Sequence, residues 1–254
     1  MGFIKTALLA LVLGGISSGL VSPFVFMRRI GFITGGLSHA LLGVVGVALL
    51  LGLSPTLVAI PSAVVLAVFM QWLQRRTGKG QSDVAIALVW TLGMAVGIVA
   101  MSRVKGYVPD VMSYLFGNVL LLKQGDLIVS GLISAVVSVV LLVGYRWFLA
   151  VCVDEEFSLA QGIRVEWVSY LLLSLIALVV VALMKSLGIV LMIAFLIVPP
   201  AISCRRAKGI PQMMLFSVSI SLTTSLLGFA VAYFWDIPVS AGVVFALAGM
   251  YLLM

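Results

Sequence analysis

His39 is the only histidine among 254 residues, and it sits in the apolar stretch Gly35-Gly36-Leu37-Ser38-His39-Ala40. A helix starting near residue 31 places it about 12 Å along the axis. That is close to the middle of a hydrocarbon core about 30 Å thick. An ionisable group at that depth points to function by default. A neutral imidazole suits zinc and is acceptable to manganese or iron. The competing reading is a ring bonded to a neighbouring helix, since one ligand does not make a metal site.

Other chemistry is sparse. No carboxylate pair, Ser/His/Asp set or HExxH motif lies in an apolar run, which leaves an intramembrane enzyme little to work with. Asp83 and Asp126 stand at the starts of apolar runs and read as helix N-caps. Cys152 and Cys204 lie far apart and read as free thiols. No GxxxxGK[ST] occurs, so active transport would draw energy from another chain or an ion gradient. A secondary transporter usually gathers several polar groups at the midplane, and here only His39 is near it. The run Asp154-Glu155-Glu156-Phe157-Ser158-Leu159-Ala160-Gln161-Gly162-Ile163 reads as a short helix with an acidic start and a glycine stop. It is either a solvated loop helix or a docking element for a partner.

The elements that position these residues are membrane helices. The chain is 63% apolar and 9% charged, against roughly 25% charged in an ordinary soluble domain. Mean hydropathy is +1.32. A soluble enzyme, a disordered chain and a disulfide scaffold are excluded. At about 20 residues per crossing, spans are predicted at 6–27, 31–53, 55–74, 84–102, 127–148, 167–184, 187–204, 212–234 and 237–254. The last is short, so eight spans is the alternative to nine. The fold class is an all-α polytopic bundle, a single transmembrane domain over 1–254. The first run, preceded by Lys5, is expected to be a retained span.

The net charge of +7 and pI near 9.7 come from basic residues in short loops, which argues for membrane orientation rather than nucleic acid. With the N-terminus outside, the inner loops hold Arg28, Arg29, Arg75, Arg76, Lys79, Arg146, Arg164, Arg205, Arg206 and Lys208, ten of the 15 basic residues. The expected orientation is therefore N-out and C-in. Pro199-Pro200 should kink or end its helix. Asp236-Ile237-Pro238 reads as the start of the last one. Gly15-x-x-x-Gly19 and Gly93-x-x-x-Gly97 read as close-packing pairs.

In their order and spacing, four stretches resemble the membrane subunit of bacterial zinc/manganese/iron ABC importers. They are Met27-Arg28-Arg29-Ile30-Gly31 followed by Leu37-Ser38-His39-Ala40 and Gly43; Tyr114-Leu115-Phe116-Gly117-Asn118; the Asp154 to Gly162 run; and Pro200-Ala201-Ile202-Ser203 with Arg205 and Arg206. Asp236, Pro238 and Gly242 are similar to the family's C-terminal turn. The family often has an aspartate four residues before the histidine, where this chain has Gly35. The resemblance implies a type II ABC importer-like homodimer in the bacterial cytoplasmic (inner) membrane. It implies separate ATPase subunits that bind ATP, an extracytoplasmic metal-binding protein, and a divalent metal ion as cargo with no stably bound cofactor. It places His39 on the translocation path and Asp154, Glu155, Glu156, Ala160 and Gly162 on the element coupled to the ATPase. The runner-up is the related branch that imports haem, siderophores or cobalamin, whose members are longer.

Overall fold

The computed structural model describes residues 2–78, 81–104, 115–117, 122 and 124–253. Tyr114 and Asn118 of the second stretch lie outside them. Ten helices are described in full: α1 (Gly2–Met27), α2 (Gly31–Leu50), α3 (Pro55–Thr77), α4 (Ser82–Ser102), α5 (Gln124–Val143), α6 (Tyr145–Val153), α7 (Glu155–Ala160), α8 (Val165–Ser203), α9 (Ile210–Trp235) and α10 (Val239–Leu252). No strand occurs among the described residues. Seven of the helices, all but α6, α7 and α10, are long and apolar enough to cross a membrane. The 14 residues of α10 reach only about 21 Å.

Helix α8 has 39 residues, or about 58 Å if straight, nearly twice the hydrocarbon thickness. It is not straight. Gly188 carries φ 78 and ψ 162 in its middle. Leu183 and Leu187, just before this break, flank Gly14 of α1. Toward the end of α1, Arg28 bonds Ser169 on one side of the break. Val25 and Phe26 share a cleft with Ile193 and Ile197 on the other. The first arm therefore runs against α1 and the second runs with it, so the chain doubles back at Gly188. The predicted spans 167–184 and 187–204 correspond to these two arms.

Three local expectations are corrected. The run 127–148 divides at Gly144, where α5 stops and α6 begins; a Cβ there would lie 2.7 Å from the Phe148 ring, so the ring packs directly on the backbone. Helical geometry continues through Pro199 and Pro200 to Ser203, and the break in α8 lies at Gly188 instead. The prolines occupy the final turns, where the Pro200 carbonyl still accepts from Cys204 N at 2.9 Å and few ladder bonds remain to be lost. Asp236 ends α9 in a left-handed conformation (φ 51) rather than opening α10, whose N-cap is Pro238.

The interior is built mainly from α1, α2 and α8, which supply most of the buried apolar side chains. Helices approach through glycine. A Cβ on Gly19 would lie 2.6 Å from Val218 Cα of α9. On α2, Gly43 and Gly46 would meet the carbonyls of Gly93 and Gly97 of α4 at 2.5 and 2.6 Å. Small residues let backbones touch where lipid offers no hydrophobic drive for association. Leu88, Leu92 and Val96 of α4 and Ile128, Leu132 and Val136 of α5 form exposed stripes, suited to lipid. Many buried hydroxyls bond within their own helices, as Ser38 does to Thr34 O at 2.8 Å, which offsets the cost of burying them; among the described residues those of Ser134, Ser221 and Ser240 are buried without a partner.

Candidate functional site: a mid-helix imidazole and a capped helix at one face

The glycine contacts between α2 and α4 fix what lies beside His39. Its ring is half-buried and sits 4.5 Å, centroid to centroid, from Trp90 of α4, tilted by 36°. Nδ1 donates to Gly35 O at 2.9 Å. In the neutral ring this bond leaves the lone pair on Nε2. The carbonyl of Gly35 thus orients the imidazole from the position where the resemblance leads one to look for a carboxylate. Trp90 Nε1 in turn donates to Met94 Sδ at 3.0 Å. An open cleft of about 500 Å³, lined by Phe32, Gly35 and Trp90 on one side and Ile193 and Ile197 on the other, lies alongside. Among the described residues no three His, Cys, Asp or Glu side chains come together in a way that could hold a metal ion. The geometry supports one oriented nitrogen ligand in an apolar wall.

The acidic run forms α7 as the spacing predicts. Asp154 is its N-cap and accepts from Phe157 N at 3.0 Å. The end is a Schellman turn. Gly162, at φ 78, donates to Leu159 O at 2.9 Å, and Ile163 N donates to Ser158 O at 3.0 Å. Six residues would not hold a helix alone, so the two caps and the buried Ser158 stabilise it. Phe157 and Leu159 remain 60% and 59% exposed, and Glu156, Ala160 and Gly162 are exposed beside them. An apolar pair on a rigid, acid-started helix is a surface ready for a protein partner.

Long-range ion pairs were invisible in the sequence. Glu155 pairs with Arg28, which also donates to Ser169 Oγ at 3.0 Å. Glu166 pairs with Arg75 at 3.0 Å, and Asp126 with Lys185 at 2.8 Å. Asp126, the third residue of α5, is thus an ion-pair partner rather than the N-cap of that helix. Asp83 lies in the first turn of α4, where the N-cap is Gln81. No local pattern could have joined residues 127 positions apart; only unmatched charges flanking apolar runs hinted at it.

The two cysteines are free, Cys152 half-buried and Cys204 exposed. Burial pushes the Cys152 thiol up to about 11, with Arg28 pulling down and Glu155 pushing up. A raised thiol holds little thiolate at pH 8, so in detergent a maleimide is expected to label Cys204 at least roughly tenfold faster than Cys152. Intact-mass time courses on the two single-cysteine variants check this, and equal rates would contradict the burial.

Comparison with known proteins gives the same fold. The ABC 3 transport family matches residues 1–254. A probable metal transport system membrane protein of Thermotoga maritima is 36% identical over 237 residues, 93% of this chain and 83% of its own. The manganese transport system membrane protein MntC of Halalkalibacterium halodurans is 29% identical over 251 residues, covering 99% and 86%. Among solved structures, PsaBC from Streptococcus pneumoniae in complex with Fab superposes with a TM-score of 0.89 at 28% identity, over 100% of this chain and 91% of that one. With a match from first residue to last and a backbone that follows a solved relative throughout, this chain belongs to the ABC 3 transport family.

Proposed function

We propose that the chain is the permease subunit of a bacterial inner-membrane ABC transporter that imports a divalent transition metal. The observation that carries the reading is the family match over 1–254, joined to relatives named for metal and manganese transport that align over nearly the whole chain. Energy comes from separate ATPase subunits, and an extracytoplasmic binding protein delivers the ion. Two copies of the chain form the path, with the N-terminus outside and α7 on the cytoplasmic face, beside the basic turn at Arg28 and Arg29. Asp154, Glu155, Glu156, Ala160 and Gly162 build the docking element for the ATPase. ATP-driven closure moves that element as a rigid body and exposes the path to alternate sides. His39 lines the path. The chain itself catalyses no reaction.

The test is uptake of radiolabelled zinc, manganese and iron in a host stripped of its own importers. The host expresses this chain with its candidate ATPase and binding protein. Accumulation of a metal that depends on all three chains is the expected result. No uptake of any of the three by an assembled complex would overturn the metal reading, and uptake by this chain alone would overturn the ATP-driven one.

A further inference from the structure

We propose that Arg28 is the positioning residue through which movement of α7 reaches the helix that bears His39. The inference rests on the permease reading above. Arg28 stands in the turn between α1 and α2, with only 14% of its side chain exposed. Its guanidinium holds Glu155, the first residue of α7, and Ser169, in the second turn of α8. Three segments distant in sequence are thereby tied at one cation. A mostly buried guanidinium keeps such partners, because losing one leaves a costly unpaired charge. Its fork geometry bonds two groups in fixed directions, which an ammonium would not.

The turn that carries Arg28 is stiff. Arg28 N, Arg29 N and Ile30 N donate to the carbonyls of Phe24, Phe26 and Val25, each at 3.1 Å, and Arg29 takes a left-handed conformation at φ 55. A displacement of Arg28 therefore passes to the start of α2 rather than dissipating in a loop. From there α2 moves together with α4, because their backbones touch at Gly43 and Gly93 and again at Gly46 and Gly97. His39 and Trp90 ride on that pair. The other inter-helix ion pair near this face, Arg75 with Glu166, joins α3 to α8, and its carboxylate is 70% exposed. Among the described residues, Arg28 is the ion-pair partner that the structure gives α7.

The experiment uses the full transporter in proteoliposomes, with ATPase and binding protein, and measures ATP hydrolysed per metal ion imported. The reading predicts that Arg28→Gln lowers import roughly tenfold, a typical coupling between distant sites. ATPase subunits should co-purify in unchanged amount and hydrolysis should persist, so ATP spent per ion rises. Glu155→Gln, at a half-exposed side chain, breaks the same pair without touching the buried guanidinium and should raise the ratio likewise. The exchange Arg28→Glu with Glu155→Arg should return the ratio to within roughly threefold of wild type, the residue of context that such paired exchanges leave. Wild-type ratios in both single variants would overturn the proposal. So would loss of the ATPase from the Arg28→Gln complex, which would make the pair a docking contact, or an assembled exchange variant that stays uncoupled. A wild-type transporter that imports no metal would sink the permease reading first, and this inference with it.

Discussion

Alanine at Gly188 is expected to remove most of the folded protein. The position has φ 78 and ψ 162, a region that is essentially glycine-only and costs an L-residue about 1–3 kcal/mol. Strain is the smaller part. A Cβ would lie 2.3 Å from Gly117 N, 2.4 Å from Phe116 C and 2.5 Å from Leu115 O, all backbone atoms that cannot swing aside. Overpacking of this kind adds about 1–3 kcal/mol or more, so the sum, about 2–6 kcal/mol or more, reaches the lower end of the stability of a typical fold, about 5–15 kcal/mol. The control is Gly78, at φ 72 and ψ 169 with nothing within 4 Å, where alanine meets the strain without the clash. In detergent, the monodisperse fraction on size exclusion should collapse for Gly188→Ala and stay near wild type for Gly78→Ala. Gly117→Ala presses on the same contact from the other side, within 2.6 Å of Gly188 N, so combining it with Gly188→Ala should add little beyond either alone. Equal losses at positions 78 and 188 would mean that backbone conformation, not the packing of the reversal, sets the cost.

The difference between the local and the distant explains which parts of this arrangement were legible in the sequence. The α7 helix could be read because its cap, its acids and its stopping glycine lie within nine positions of one another, and each acts on its neighbours. His39 stands out in the sequence because it is the one histidine and lies inside an apolar run. The spans 167–184 and 187–204 meet around Lys185-Ser186, yet the residue that makes the turn is Gly188, and only its positive φ against Gly117 reveals that. Pro199-Pro200 reads as a kink or an end because proline costs a helix its donors; so near the end of α8 that cost is small. The partners Arg28 with Glu155 and Asp126 with Lys185 depend on which helices become neighbours, and neither periodicity nor composition carries that information. Trp90 was missed beside His39 for the same reason: an aromatic on an apolar helix reads as packing until the Gly43–Gly93 contact brings it onto the imidazole.

The second large effect is expected at His39 itself, and it bears on which ion travels. With Nδ1 bonded to Gly35 O, the ring offers one oriented nitrogen. Its loss in His39→Ala should cut metal import at least tenfold, since even outer-shell partners of bound metals are worth about 10–100-fold. Assembly with the ATPase should not change, because the ring is a half-buried group in a wall already closed by Trp90. The complementary change is Gly35→Asp. A Cβ at Gly35 meets only Ile193 Cδ1, at 3.8 Å, so the side chain has room where Gly36, Gly43 and Gly46 have none. Four residues apart, a carboxylate and the imidazole share one helical face. An oxygen ligand added to a nitrogen one should shift preference toward manganese, which favours carboxylate, and away from zinc, which is well served by imidazole. A carboxylate at this depth costs about 2.5–3.5 kcal/mol of insertion energy, so yield is expected to fall. The measurement is therefore the ratio of manganese to zinc imported by one preparation, which does not depend on yield. A raised ratio in Gly35→Asp together with lost import in His39→Ala would place both positions on the ion's route. An unchanged ratio with undiminished import would make the imidazole a packing group, its bond to Gly35 O and its contact with Trp90 the whole of its role.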